Sequence, residues 1–517
     1  MSEQLQYFWQ YTMRFTHIHN IDDDSLLQIF SHYRLQDGDN WHLRHTWRTL
    51  AQVCRRWRYL IYRSTSHLDM CLLLTYNSPS IYILGHLPPL PLVIDYSNEN
   101  TTLAQKDEDN IYLGLQRHGR LHRVALRAPS SALRKLIKPL NKPFSRLEDL
   151  SLLSTTTEEM GLMLPETFQA PFLRCLSLHG IDLPKGLSSL SSMITLSGLS
   201  TLSLVHIQKS YYFSPGHLVT QLQGLPCLEE LSIGFAIPIP SPSSEEELLP
   251  TPIPPVTLPN LRRLTFRGVS VYLDNLVAQI NTQLLEHLRL TLLFEIDFTL
   301  VNLTKFIHRT EGFKCLVCRV IFNKDGASID AGIGFFNLHV KVSCKPLDWQ
   351  IESTTQVFST LGEAISTVEE LTLDLHTHQM PSDWENRRDN MLWHELLLPF
   401  IGVKKLNIGL LLVFELSRVL ESLAGGLDQE ILPELQELEV LQLEMYHANK
   451  SLSRFFGNRE SMGRPVHLLA PQMAHLQASP EVRTQVSPYL ARVNTGSFRE
   501  IYCSLMATSL EWSDQRR

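Results

Sequence analysis

One short pattern, Leu-x-x-Leu-x-Leu, recurs along this chain and limits the folds open to it more than any other feature. It occurs as Leu147, Leu150, Leu152, as Leu173, Leu176, Leu178 and as Leu199, Leu202, Leu204, after a degenerate copy at Leu121, Val124, Leu126. The first residues stand at positions 121, 147, 173 and 199, a constant period of 26 residues. Further copies follow at Leu228, Leu231, Ile233; Leu261, Leu264, Phe266; Leu285, Leu288, Leu290; Val368, Leu371, Leu373; Val403, Leu406, Ile408; and Leu435, Leu438, Val440. Two weaker copies, Phe313/Leu316/Cys318 and Phe335/Leu338/Val340, fill the one wide gap. Within each copy the last two apolar positions alternate with polar ones, so each copy contributes one half-buried strand, and the first apolar residue closes the turn before it. A single unit of this length cannot bury its own apolar face, so neighbours must stack strand beside strand, in parallel. Start signals for the returning helices stand at Ser214-Pro215, ahead of Leu218, Val219 and Leu222, and at Thr354, ahead of Val357, Phe358, Leu361 and Ile365.

Composition narrows the function classes. The chain has 517 residues, 44% of them hydrophobic, and a formal net charge of −7, so nothing global draws it to phosphate backbones or anionic membranes. Nucleic-acid binding would need a local basic patch; the expected partners include no nucleic acid and no membrane, though charge alone names none. Residues 1–20 lack the apolar stretch of a secretion signal, and the strongest apolar run, Ile408 to Phe414, is far too short to span a bilayer. The eight cysteines are scattered without a framework, as in a reducing compartment, and the expected location is cytoplasm or nucleus.

Two segments interrupt the period. Residues 238–259 hold eight prolines and the acidic run Glu245-Glu246-Glu247, and are expected as an exposed loop in place of a helix; Ser241-Pro242 and Thr251-Pro252 offer proline-directed phosphorylation sites. Residues 446–517 are expected as a C-terminal cap and a loosely ordered tail.

Ahead of the repeats, residues 21–68 carry a different signal. Ser25, with Gln28 three residues on and aspartates before it, reads as a capped helix start, followed by Leu26, Leu27, Ile29 and Phe30. After the turn-rich stretch Gln36-Asp37-Gly38-Asp39-Asn40, Trp47, Leu50, Val53, Cys54, Trp57, Leu60 and Ile61 recur at helical spacing. Helices this short with faces this bulky leave apolar surface that something else must cover. The order Asp24-Ser25-Leu26-Leu27-Gln28-Ile29-Phe30-Ser31-His32, then Leu50-Ala51-Gln52-Val53-Cys54-Arg55-Arg56-Trp57-Arg58, resembles the F-box, particularly that of fungal F-box proteins. Ile21-Asp22 stands where most members have Leu-Pro. The resemblance implies a three-helix module docking on the Skp-type adaptor of a cullin–RING ubiquitin ligase, with Leu26, Leu27, Ile29, Phe30, Leu50, Val53, Cys54 and Trp57 divided between internal packing and that interface. A plain helical cap without a partner is the other reading. The repeats over about 110–445 resemble the leucine-rich repeat family, without its asparagine ladder. The expected fold is thus α/β: residues 1–20 as an extension, an F-box-like module at 21–68, a connector at 69–109, and an irregular leucine-rich-repeat solenoid of parallel strands with outer helices at 110–445.

Catalytic motifs are missing from the sequence: it has no phosphate loop, nucleophile elbow or His-Glu-x-x-His. Cys315-Leu-Val-Cys318 has metal-pair spacing but lacks two further ligands, so a buried pair is expected; His376-Thr-His378 and His17-Ile-His19 are read as strand or loop positions. No cofactor and no metal are expected, and no enzyme activity. Arg55, Arg56, Arg58 and Arg63 are read as a solvated helix face. On the repeats, the polar strand residues Glu230 and Ser232, Arg263 and Thr265, His287 and Arg289, Glu370 and Thr372, Lys405 and Asn407, and Glu437 and Glu439 should share one face whose mixed sign suits a protein partner. Arg262, Arg263 and Arg267 beside Glu229 and Glu230 form its strongest charged cluster and the expected substrate-binding patch. These features lead to the expectation of a substrate-recognition subunit of a Skp-cullin-F-box type ligase with an unknown protein substrate. The alternative is a leucine-rich-repeat scaffold or intracellular sensor that keeps an F-box remnant as a cap.

Overall fold

The computed structural model describes residues 21–35, 47–64, 71–76, 84–85, 90–98, 102–156, 161–237, 255–293, 300–309, 315–333, 336–376, 391–422, 431–441 and 445–469. The expectations placed on residues 1–20, on 36–46, on most of the proline-rich segment, on Phe313, Phe335 and His378, and on the tail beyond 469 lie outside these residues. The chain divides into two compact units, residues 1–266 with 279–284, and residues 267–278 with 285–517.

The first unit opens with α1 (Asp23–Leu35), α2 (Trp47–Val53) and α3 (Arg55–Arg63). The second stretch of helical spacing is therefore broken in two. Cys54 takes an extended conformation (φ −155°), and its sulfur accepts the amide hydrogen of Trp57, capping α3. At α1 the cap is Asp22, not Ser25. Its carboxylate accepts from the Ser25 amide (2.8 Å) and hydroxyl (2.7 Å), and these two bonds hold its pKa below the usual carboxylate value.

The strands follow as β1 (Leu72–Leu74), β2 (Leu92–Tyr96), β3 (Leu121–Ala128), β4 (Asp149–Ser154), β5 (Cys175–His179), β6 (Pro184–Leu187), β7 (Thr201–Ile207), β8 (Glu230–Phe235), β9 (Val256–Thr257), β10 (Arg263–Gly268) and β11 (Ile280–Asn281). The main sheet runs β1-β2-β3-β4-β5-β7-β8-β10. From β1 to β8 each strand is parallel to the next. The sheet thus begins at Leu72, inside the stretch expected as connector. The repeat leucines stand in register, Leu150 beside Leu176, Leu202 and Leu231, each at most 1% exposed. Burying each side chain contributes roughly 1.5–3 kcal/mol. The returning helices α4 (Gln105–Leu115), α5 (Ser130–Leu136) and α6 (Pro215–Leu222) cover part of one face, α6 starting as expected with Ser214 accepting from the His217 amide. Helices on every return are not found: residues 161–174, between β4 and β5, form turns and bridges.

The second unit holds α7 (Ser270–Ala278), β12 (His287–Leu293), α8 (Val301–Arg309), β13 (Val317–Asn323), β14 (Gly326–Ile333), β15 (Phe336–Ser343), α9 (Leu347–Leu361), β16 (Glu370–His376), α10 (Met391–Leu397), β17 (Lys405–Gly409), α11 (Val413–Ser422), β18 (Glu437–Leu441), α12 (Met445–Ser461) and β19 (His467–Leu469). Its strand order is β12-β15-β14-β13-β16-β17-β18-β19. Here the all-parallel expectation fails. The two weak copies become β13 and β15, an extra strand, β14, forms between them, and both of its pairings are antiparallel. Because the hairpins fold back, β15 comes to lie parallel to β12, and β13 parallel to β16. The turn between β13 and β14 contains Gly326 (φ +150°), where any Cβ would strike the Val342 carbonyl. Helix α9 starts at Leu347, seven residues before the expected Thr354, whose hydroxyl instead donates to the Gln350 carbonyl within the helix. The parallel order continues to β19, past the expected limit of the repeats at residue 445.

Candidate functional site

The helical module sorts its apolar residues cleanly. Leu26, Phe30, Ala51, Leu60 and Ile61 are buried, and the Phe30 ring meets Trp57 edge-on at 4.7 Å. Of the eight residues assigned to the adaptor by resemblance, Leu26 and Phe30 are thus internal. Cys54 is a helix cap. Leu27, Leu50 and Trp57 are half-buried, while Ile29 and Val53 are 50% and 57% exposed. The arginines are not a solvated face throughout. Arg56 donates to the Ile21 carbonyl (2.6 Å) and pairs with Asp23, and Arg58 donates to the Ala51 carbonyl (3.0 Å). These bonds tie the start of α1 to α3 and the end of α2 to α3.

In the first unit the polar strand residues line up in register. One row runs Arg123, Asp149, Cys175, Thr201, Glu230, and the next runs Ala125, Ser151, Ser177, Ser203, Ser232. Arg123 pairs with Asp149 at 3.1 Å, yet burial still pushes the Asp149 pKa up. At the far end of the row Arg263 pairs with Glu230. Glu229 and Arg262 are exposed and joined through the backbone, the Arg262 amide donating to the Glu229 carbonyl. Arg267 is half-buried on the same side of β10 as Arg263, and its Nε is enclosed without a partner among the described residues. The expected arginine cluster therefore spends one cation on Glu230 and half-buries another. An irregularity in β7 adds a feature that spacing did not reveal: His206, in the left-handed region (φ 59°), stacks its ring on His179 at 4.5 Å.

In the second unit one register row crosses seven strands as Arg289, His339, Asp330, Arg319, Thr372, Asn407 and Glu439. His339 Nδ1 and Asp330 form a contact at 2.5 Å. Asn407 donates to Glu370 and Thr372, and Lys405 reaches both Glu370 (3.8 Å) and Glu439 (3.3 Å). Arg289 and Arg319 are exposed and Lys341 half-exposed; among the described residues none of the three has a hydrogen bond or ion pair. Arg319, Lys341, His339 and Asp330 were missed as candidates because they belong to the antiparallel strands β13 to β15; for His339 and Lys341 the signal is the alternation Asn337-Leu338-His339-Val340-Lys341-Val342-Ser343. Cys315 and Cys318 are buried, as expected, and burial pushes the Cys315 thiol up to about 11 and Cys318 well above its usual value. Among the described residues no group of three or more His, Cys, Asp or Glu side chains is placed to hold a metal.

No family model matches the chain, and neither does any curated protein. Among solved structures, a chain from the crystal structure of the Rad7 and Elc1 complex in yeast is similar at 13% identity, covering 92% of this chain and 100% of that one, with a TM-score of 0.31. That score is too low to establish a common fold. The protein is mixed α/β, built on a large sheet of mainly parallel strands. No helix among the described residues is long and apolar enough to cross a membrane.

Proposed function

We propose that this chain is a substrate-recognition subunit of a Skp-cullin-F-box type ubiquitin ligase, with α1 to α3 binding the adaptor and the leucine-rich-repeat-like sheets binding a protein substrate. The observation that carries the reading is the apolar surface left on a module whose own core is already closed. Leu26, Phe30, Leu60 and Ile61 fill the interior, and Ile29 and Val53 lie outside it with half or more of their surface exposed. These exposed apolar groups, on a module that also leaves Leu27, Leu50 and Trp57 only half-buried, suit a partner's helices. The mixed-sign polar rows favour complementary protein contacts over a phosphate track. A non-enzymatic role fits the cysteines: Cys175, Cys315, Cys318 and Cys344 all have thiol pKa values raised first by burial, so they stay protonated near neutral pH and are poor nucleophiles.

The test is co-expression of the full chain with a Skp-type adaptor and pull-down through the adaptor. Wild type should co-elute at equal stoichiometry, and Ile29→Asp with Val53→Asp should abolish capture while circular dichroism stays unchanged. Failure of the folded wild-type chain to bind the adaptor would remove the ligase assignment and leave a repeat scaffold capped by a helical module.

A further inference from the structure

The second unit places three uncompensated cations on the polar side of its sheet. Arg289 lies on β12, Lys341 on β15 and Arg319 on β13, and none is engaged by a described residue. The only carboxylate on β12 to β15, Asp330 of β14, is occupied by His339. Register fixes the spacing. Arg289 and Arg319 share one row with β15 and β14 between them, so at about 4.8 Å per strand their backbones are roughly 14 Å apart. Lys341 lies two residues along β15 from His339, on the same side, roughly 7 Å off that row.

We propose that this cluster is a docking site for an extended acidic peptide segment of the substrate. A strand-like peptide laid across β12 to β13 rises about 3.3 Å per residue, so side chains at i and i+4 span about 13 Å. Acidic groups at those positions meet Arg289 and Arg319, whose guanidinium groups take carboxylate or phosphate oxygens two at a time. Lys341 meets an acidic group at i+2. The neighbouring strands argue for a peptide over a nucleic acid: Glu370 and Asp374 on β16 and Glu437 and Glu439 on β18 outnumber Lys405 on β17, which pairs with Glu370 and Glu439, so a continuous phosphate backbone would meet net negative charge there, while a short acidic segment ends before them. The proposal rests on reading the polar sheet face as the substrate surface and is independent of the adaptor.

The test therefore uses the full chain alone, without adaptor. Fluorescence anisotropy is read with a 12-residue peptide carrying glutamates at alternate positions, with its glutamine counterpart, and with a third carrying phosphoserines at the same positions. The glutamate peptide should bind and the glutamine peptide should not. Arg289→Glu/Arg319→Glu/Lys341→Glu should weaken binding at least tenfold. Lys138→Glu/Lys142→Glu/Arg146→Glu, the same charge change in the first unit, should leave it within twofold. Tighter binding of the phosphoserine peptide identifies phosphate as the preferred anion, and equal binding identifies carboxylate; either supports the site. The proposal is overturned if neither acidic peptide binds, if the first triple variant with an unchanged circular dichroism spectrum binds as wild type does, or if a single-stranded oligonucleotide of equal charge binds more tightly than both peptides. Adaptor pull-down with the same triple variant should remain intact, so loss of this site and loss of the ligase reading give different results.

Discussion

Asp182 offers a sharp physical test of the first unit. It lies just after β5, is 4% exposed, and its backbone bridges Leu162 and Leu164, while Oδ2 is buried without a hydrogen-bond partner among the described residues. Burial raises its pKa from 3.8 to about 6, with a hydrogen bond from the Gln208 backbone only partly opposing the rise. A carboxyl with a higher pKa folded than unfolded binds more protons in the folded state. Its contribution is therefore most favourable below about pH 4, declines as pH rises to about 6, and is flat above that. The full shift corresponds to about 3 kcal/mol at about 1.4 kcal/mol per pH unit, and partial solvent screening leaves about 1 to 2 kcal/mol of destabilisation at neutral pH. Asp182→Asn removes the ionisable group and keeps the shape. Differential scanning calorimetry of wild type and variant should show the variant melting about 2 to 4 °C higher at pH 7.5, with only about a third of that gap left at pH 4.5. A variant that melts lower than wild type by the same amount at both pH values would refute the reasoning, because it would mean that the carboxylate makes a net favourable contact independent of its charge.

Phe30→Ala should cost the helical module about 3 to 5 kcal/mol by emptying the space against Trp57, seen as loss of native tryptophan fluorescence, whereas Val53→Asp should leave that signal unchanged. Gly409→Ala should destabilise the second unit by about 1 to 3 kcal/mol in urea titration, since a methyl there would run into the Asp374 carboxylate, which is held by the Leu375 amide and His376; Asp374→Gly in the same chain should recover most of the loss. In native-state alkylation read by mass spectrometry, exposed Cys227 should label within minutes and Cys315 and Cys318 only after denaturant is added.

The leucine period made much of the sheet legible. Leu150, Leu176, Leu202, Leu231, Leu264, Leu288, Leu371, Leu406 and Leu438 are all at most 1% exposed, because alternation along a strand is a local property that any burial of one face must respect. The meander was not legible from that period, although its turn was written in the chain: Asn323-Lys324-Asp325-Gly326 is a hairpin signal, with the Asn323 side chain accepting from the Asp325 amide. A period counted in leucines passes over β14, whose inward residues are Ala327, Ile329 and Ala331. The same limit applied to the module. Helical spacing ran straight through Cys54, and only the φ of −155° and the sulfur cap at that residue divide the stretch into two helices.

By itself the sequence determined which side chains are apolar at which period, and hence which face of each strand and helix is buried. Those choices follow from burial of nearby residues, and a chain of this kind has few ways to satisfy them. Tertiary structure decided the partners. Only the folded chain places β15 beside β12 and β13 beside β16, brings Arg289, Lys341 and Arg319 onto one surface, pairs Arg263 with Glu230, and leaves Ile29 and Val53 outside a core that Leu26 and Phe30 complete. The physical reason is that strand edges of equal apolar character compete for the same neighbour. Backbone hydrogen bonding and the reach of the turns choose among them, and neither is encoded in the spacing of the leucines.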